Sequence, residues 1–203
     1  MKIGLLGGSF NPIHLAHVRM AMAAREALRL ETVLFIPARL PPHKQLASLA
    51  PEADRIEMAR LAVAGEESFR VSEVEMRRPG ASYTIDTVTA LRSEFGPAAE
   101  FHFLIGADTL LELPTWREIT RLATLCRFVP VVRPGVPEAA PAALAEAVGE
   151  AEARAILART VRMPPLDISS SDIRRRVAEG RPISDRVPKA VEEYILRKGL
   201  YRR

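Results

Sequence analysis

The run Lys2-Ile3-Gly4-Leu5-Leu6, followed at once by Gly7-Gly8-Ser9-Phe10-Asn11-Pro12-Ile13-His14-Leu15-Ala16-His17, constrains the fold of this chain more than any other stretch. The apolar run predicts a buried strand ending at Gly7. Gly7 and Gly8 carry no Cβ, so the backbone there can turn sharply and offer N–H groups to a ligand. Asn11-Pro12 initiates a turn, and Pro12 cannot continue a strand. From His14 onward Val18, Met20, Ala21, Met22, Ala24 and Leu28 recur at helical spacing, which predicts a helix that begins near the histidines. His14 and His17 then share one face of its first turn, beside the positive end of the helix dipole, where anions are favoured. Strand, glycine pair, turn and imidazole-bearing helix start read together as a phosphate-binding turn.

The rest of the chain alternates strand and helix signals, the pattern of a parallel sheet wrapped by helices. Strands are expected at 32–37, at 69–72 with 73–78 as a candidate extension, at 101–106, at 125–132 and at 160–163. Helices are expected over 51–64, from about 82 to 95 with Gly96-Pro97 as the stop, over the Ala- and Glu-rich stretch 139–157, from about 168, and over 188–197 with Gly199 as the stop. In such sheets ligands bind outside the carboxyl ends of the strands. Gly7-Gly8, Pro41-Pro42-His43-Lys44 and Gly106-Ala107-Asp108 fall at such ends and should converge on one crevice.

Composition narrows the class. At 203 residues the chain suits one well-buried domain. With 48% hydrophobic and 27% charged residues it reads as globular rather than disordered. The net charge of +4 comes from 29 basic residues interleaved with 25 acidic ones, so small anionic substrates explain the surplus as well as a polynucleotide does. Cys126, the single cysteine, allows no internal disulfide and is expected to be a buried strand thiol. No signal peptide and no membrane-length apolar run is apparent, which makes a cytoplasmic protein without a membrane or nucleic-acid partner the expectation.

Four further stretches carry candidate chemistry, each with a plainer reading beside it. Two prolines stiffen the loop before Lys44, which otherwise is an exposed lysine. Ile168-Ser169-Ser170-Ser171-Asp172-Ile173-Arg174 opens a helix: its serines are ordinary caps, or hydroxyls and N–H groups that meet a phosphate gripped by Arg174. Arg175 and Arg176 read as a solvated face. In Gly106-Ala107-Asp108-Thr109-Leu110-Leu111-Glu112-Leu113-Pro114-Thr115-Trp116, Asp108 is either a helix cap or a ribose acceptor, and Trp116 either packs in the core or stacks on a flat heterocycle. Ser82-Tyr83-Thr84-Ile85-Asp86-Thr87 is a Ser/Thr-rich helix start.

GGSFNPIHLAH resembles the GG[ST]F[DN]PxHxxH form of bacterial nicotinate-nucleotide adenylyltransferases, within the superfamily that carries an H-x-G-H motif on a Rossmann-like fold. Ala16 stands at the usual glycine, adding a methyl and removing no functional group. Ile168–Arg174 is similar to the IS[ST]TxIR signature, with Ser171 where threonine is common, and Gly106–Trp116 looks like GxDxLxxLPTW. The resemblance runs over nearly the whole chain and implies a Rossmann-like, doubly wound parallel α/β sheet as a single domain over 1–203, with a small helical part from about 165. It implies adenylyl transfer from ATP to nicotinate mononucleotide in NAD biosynthesis, with Mg²⁺ accompanying ATP. By the same resemblance His14, His17, Lys44 and Arg174 are the catalytic candidates. Gly7, Gly8, Ser9, Phe10, Gly106, Asp108, Ile168, Ser169 and Ser170 join the histidines and Arg174 around ATP. Asn11, Lys44, Ser82, Tyr83, Thr84, Leu113, Trp116 and Arg117 are the candidates for the mononucleotide. The alternatives are an enzyme that prefers nicotinamide mononucleotide, and a nucleotide-sensing or nucleic-acid-binding regulator.

Overall fold

β1 (Lys2–Gly8) is apolar along its length because both of its faces are covered: Ile3 and Leu5 enter one core, Leu6 the other. β2 (Thr32–Pro37) divides the same way, with Val33 and Phe35 on one side and Leu34 and Ile36 on the other. These strands join β3 (Phe69–Val71), β4 (Glu100–Gly106), β5 (Arg127–Val132) and β6 (Val161–Arg162) in one sheet of order β3-β2-β1-β4-β5-β6. Every pairing is parallel, so the chain must cross over between strands, and helices make the crossings. They are α1 (Leu15–Leu28), α2 (Glu52–Val63), α3 (Thr84–Phe95), α4 (Ala107–Glu112), α5 (Ile119–Leu125), α6 (Ala142–Val148) and α7 (Glu150–Ala158); α8 (Ser170–Ala178) and α9 (Lys189–Lys198) follow β6. This computed structural model describes residues 1–41, 49–132 and 142–202. The strand order is that of a doubly wound Rossmann-like sheet, whose direction of winding reverses between β1 and β4.

Several expectations are corrected. β1 runs through Gly8 rather than ending at Gly7, and neither glycine takes a left-handed φ. The turn is made by Phe10, at φ 44°, and by the Asn11-Pro12 peptide, which is cis. Gly8 is required for a different reason: a Cβ there would lie 2.9 Å from the Phe10 ring. Residues 74–77 form a turn, so β3 has no extension. Met22 is 43% exposed, while Ala21 and Ala24 make the inner face of α1. Residues 119–125 are helical where a strand was expected to begin at 125, and Cys126 caps α5 instead of lying in a strand. Its thiol donates to the Leu122 carbonyl, and burial pushes its pKa up to about 12, as suits an inert packing group. The described part of 139–157 is two helices, α6 and α7, because Gly149 at φ 85° breaks the run.

At the amino end of β4, far along the strand from Gly106, His102 is 4% exposed and neither ring nitrogen has a hydrogen-bond partner among the described residues. Burial, reinforced by Arg127, Lys2 and Arg159 against the opposing pull of Glu100, holds its pKa below the usual 6.5. The folded state therefore keeps the imidazole neutral while the unfolded chain protonates at the ordinary value. Stability is fully present above that value and is lost as pH falls below it, because the unfolded state then binds more protons. The melting temperature is expected to fall between about pH 7 and about pH 5, and His102→Phe should flatten that limb. Parallel melting curves across the range in parent and variant would show the imidazole uninvolved.

Candidate active site

The reversal of winding between β1 and β4 leaves a cavity of about 610 Å³ at the carboxyl ends of the strands. Gly7, Gly8 and Ser9 at the end of β1 and Gly106 at the end of β4 line it, as do Ala38 and Pro41 beyond β2. Leu6, Ile36, Phe103 and Ile105 supply an apolar floor.

His17, in the first turn of α1, lines the cavity together with the end of β1. The backbone N–H of His14 donates to His17 Nδ1 at 3.2 Å, which leaves the proton of a neutral ring on Nε2. The ring is further fixed edge-on against Phe10 at 5.2 Å and stacked on His14 at 3.7 Å. His14 itself, 6% exposed, stands behind His17 and does not line the cavity.

The start of α8 docks on the same turn, although it lies far away in sequence. Arg174 Nη1 donates to the Asn11 carbonyl at 2.8 Å, and Ser170 Oγ donates to the Pro12 carbonyl at 2.9 Å. Ser169 Oγ caps the helix by accepting from Asp172 N–H at 3.1 Å. Ser170 has thus committed its proton to the turn after β1. Asp172 draws Arg175 and Arg176 into ion pairs, which also hold its own carboxyl below the usual range, mainly through the hydrogen bond from Arg176.

Part of the cavity lining is aromatic. Trp116 packs edge-on against Phe103 at 5.6 Å and Phe128 at 6.0 Å while also lining the cavity. The Arg117 guanidinium lies 4.8 Å from the centre of the Tyr83 ring. Ser82, Tyr83 and Thr84 border the same space, and Ser82 Oγ accepts from the N–H groups of Arg39 and Leu40.

A cavity lined by both a helix-borne imidazole and an indole suits a nucleotide, and the comparisons with known proteins agree. The cytidylyltransferase-like family model matches residues 5–176. A relative from Thermomicrobium roseum, named "Probable nicotinate-nucleotide adenylyltransferase", is 46% identical over 201 residues, covering 99% of this chain and 92% of its own. One of the same name from Thermus thermophilus is 45% identical over 203 residues, covering 100% of both chains. The chain belongs to the nicotinate-nucleotide adenylyltransferase family. Among solved structures, the Plasmodium falciparum nicotinic acid mononucleotide adenylyltransferase complexed with NaAD superposes with a TM-score of 0.75 at 20% identity, over 99% of this chain and 97% of that one, a likeness of fold.

Of the family-type candidates, Gly7, Gly8, Ser9, His17, Ser82, Tyr83, Thr84, Gly106, Trp116 and Arg117 line the cavity. His14 stacks on the lining residue His17, while Arg174 is not among the lining residues and binds the carbonyl of Asn11, which does not line the cavity either. Phe10, Leu113 and Ile168 have core side chains, which leaves only their backbone for a nucleotide, and Asp108 is exposed at the start of α4. Asn11, only 2% exposed, has its side-chain oxygen taken up by Ala50 N–H and Tyr201 O–H. Lys44 lies outside the described residues.

Sequence reasoning missed Glu75 and Thr87, which also line the cavity and are joined by a 2.8 Å hydrogen bond from Thr87 Oγ1 to Glu75 Oε1. Thr87 fell inside a stretch already singled out. Glu75 gave no signal, because its segment read as strand.

Proposed function

We propose that this chain transfers the adenylyl group of ATP to the phosphate of nicotinate mononucleotide, releasing pyrophosphate and forming nicotinate adenine dinucleotide. The observation that carries this reading is the cavity itself, which His17, Trp116, Tyr83 and Arg117 all line. An oxygen of the mononucleotide phosphate attacks the α-phosphorus of ATP in line. The new P–O bond forms as the bond to the bridging oxygen of the departing pyrophosphate breaks. No protein nucleophile is needed, so catalysis consists of positioning and charge stabilisation.

His17 Nε2–H donates to the α-phosphate, and His14 fixes the ring behind it. Gly7, Gly8 and Ser9 line the ATP side with their backbone, and Gly106 and Asp108 serve the nucleoside of ATP from the end of β4. Arg174 and the first turn of α8 hold the departing pyrophosphate, with Lys44 assigned to the same phosphates from the sequence motif. Trp116 stacks on the pyridine ring. Thr84 and the main-chain amides near Trp116 and Arg117 receive its carboxylate, an anion that N–H donors and the Arg117 charge favour over an amide. Among the described residues no group of three or more His, Cys, Asp and Glu side chains could hold a metal ion, so Mg²⁺ is assigned to the ATP phosphates, whose charge it neutralises when bound. Likewise, no described helix is long and apolar enough to cross a membrane.

The test is pyrophosphate release with ATP and each mononucleotide in turn. Turnover should be much faster on the nicotinate form. Salt-dependent binding to random DNA with no pyrophosphate release would overturn the reading. Trp116→Ala should raise KM for the mononucleotide about tenfold or more, as loss of an aromatic stacking partner does. Equal KM in parent and variant would reduce Trp116 to a packing residue.

A further inference from the structure

Asn11 Oδ1 is where three distant parts of the chain meet. It accepts from the Ala50 backbone N–H at 3.0 Å and from the Tyr201 hydroxyl at 2.9 Å. The carbonyl of the same residue accepts from Arg174 at 2.8 Å. A second tie runs alongside: Arg55, 1% exposed, donates to the carbonyls of Ser9, Ala38, Arg39 and Ala50, so Ala50 is held to the phosphate turn from both its N–H and its C=O. The backbone is unusual at two of the participating places. Phe10, immediately before Asn11, and Tyr201 both sit at left-handed φ, 44° and 62°, a conformation that costs an L side chain energy and persists only where surrounding contacts impose it. Burial keeps the Tyr201 hydroxyl well above its ordinary pKa, so it is a proton donor at every working pH.

We infer that Tyr201 is a positioning residue for the reaction: through Asn11 it sets where Arg174 meets the departing phosphates. An asparagine side chain held by two donors cannot rotate. The residue is thereby anchored through its side chain, and its backbone carbonyl, a separate group, is the one that accepts from the Arg174 guanidinium. Tyr201 is not among the residues that line the cavity, so its action on a nucleotide runs through this chain of contacts. The inference rests on the proposed adenylyl transfer, since Arg174 has a phosphate to place only if ATP binds there.

Tyr201→Phe removes one hydroxyl and keeps the ring. It should lower kcat/KM for ATP about tenfold, the size expected of one lost buried hydrogen bond, while KM for nicotinate mononucleotide stays within about twofold. Tyr201→Leu, which also removes the ring, should lose the same activity and melt earlier. In an Arg174→Ala background Tyr201→Phe should cause no further loss, because its effect runs through Arg174. A purely structural tyrosine predicts that Tyr201→Phe matches the parent and only Tyr201→Leu suffers. That result, or an equal tenfold loss with and without Arg174, overturns the inference. If the parent itself releases no pyrophosphate from ATP and nicotinate mononucleotide, it is the functional reading that fails. Equilibrium binding of ATP to parent and Tyr201→Phe protein then tests the coupling alone, and equal affinities would refute it.

Discussion

Turnover of the His17→Ala protein is expected to fall by about a hundredfold or more, with a much smaller change in KM for either substrate. A donor aimed at developing phosphate charge contributes most in the transition state, so its loss appears in kcat. The geometry makes the expectation specific. Because Nδ1 accepts from the His14 N–H, the ring presents Nε2–H as its donor, and the stacked His14 and the edge of Phe10 leave the ring little freedom to turn. His17→Gln should therefore recover part of the loss if its side-chain N–H₂ reaches the place of Nε2–H. Steady-state kinetics with both substrates varied would decide the matter. A fully active His17→Ala protein would remove the imidazole from the mechanism.

The largest effect on stability should come from Arg55→Met. The guanidinium donates at 2.8 Å to Ser9 O, 2.6 Å to Ala38 O, 3.1 Å to Ala50 O and 3.2 Å to Arg39 O. Methionine fills the stem's volume but leaves these carbonyls without the donor. Desolvation already strains the cation, and this lowers its pKa against the pull of Glu52, Tyr201 and Glu75, so the native state accepts the cost of burial for the sake of these bonds. Losing several buried acceptor contacts at once costs on the order of 3 to 5 kcal/mol. At roughly 2 to 4 °C per kcal/mol for a chain of this length, the melting temperature should drop by about 10 °C. Arg55→Lys should not restore it, since an ammonium cannot span carbonyls on separate segments as the planar fork does. A melting curve unchanged in Arg55→Met would show that relaxed backbone or water meets these carbonyls.

Arg55 also shows how far sequence patterning reaches. Its place in α2, three and four residues before Met58 and Ala59, puts it on the inner face, so its burial follows from the helical period. Its charge argues the other way, and the resolution lies in carbonyls at residues 9, 38 and 39 that no local pattern contains. The short α4 and α5 were missed for a related reason: elements this short show too few turns for a period to emerge. Gly96 and Gly199, by contrast, end α3 and α9 at positive φ where the sequence placed the stops.

From the amino acids alone follow the alternation of strands and helices, the covered parallel sheet and the turn after β1 with its paired imidazoles at the helix start. These depend on periodicity and on residue chemistry within a few positions, information the chain carries locally. Only the tertiary structure decided that α8 docks on the turn through the Asn11 and Pro12 carbonyls, that Asn11 holds Ala50 and Tyr201, and that Glu75 enters the cavity. Those contacts join groups many tens of residues apart, and most use backbone atoms that every residue possesses. Side-chain identity cannot announce them; only the assembled sheet and helices bring them within reach.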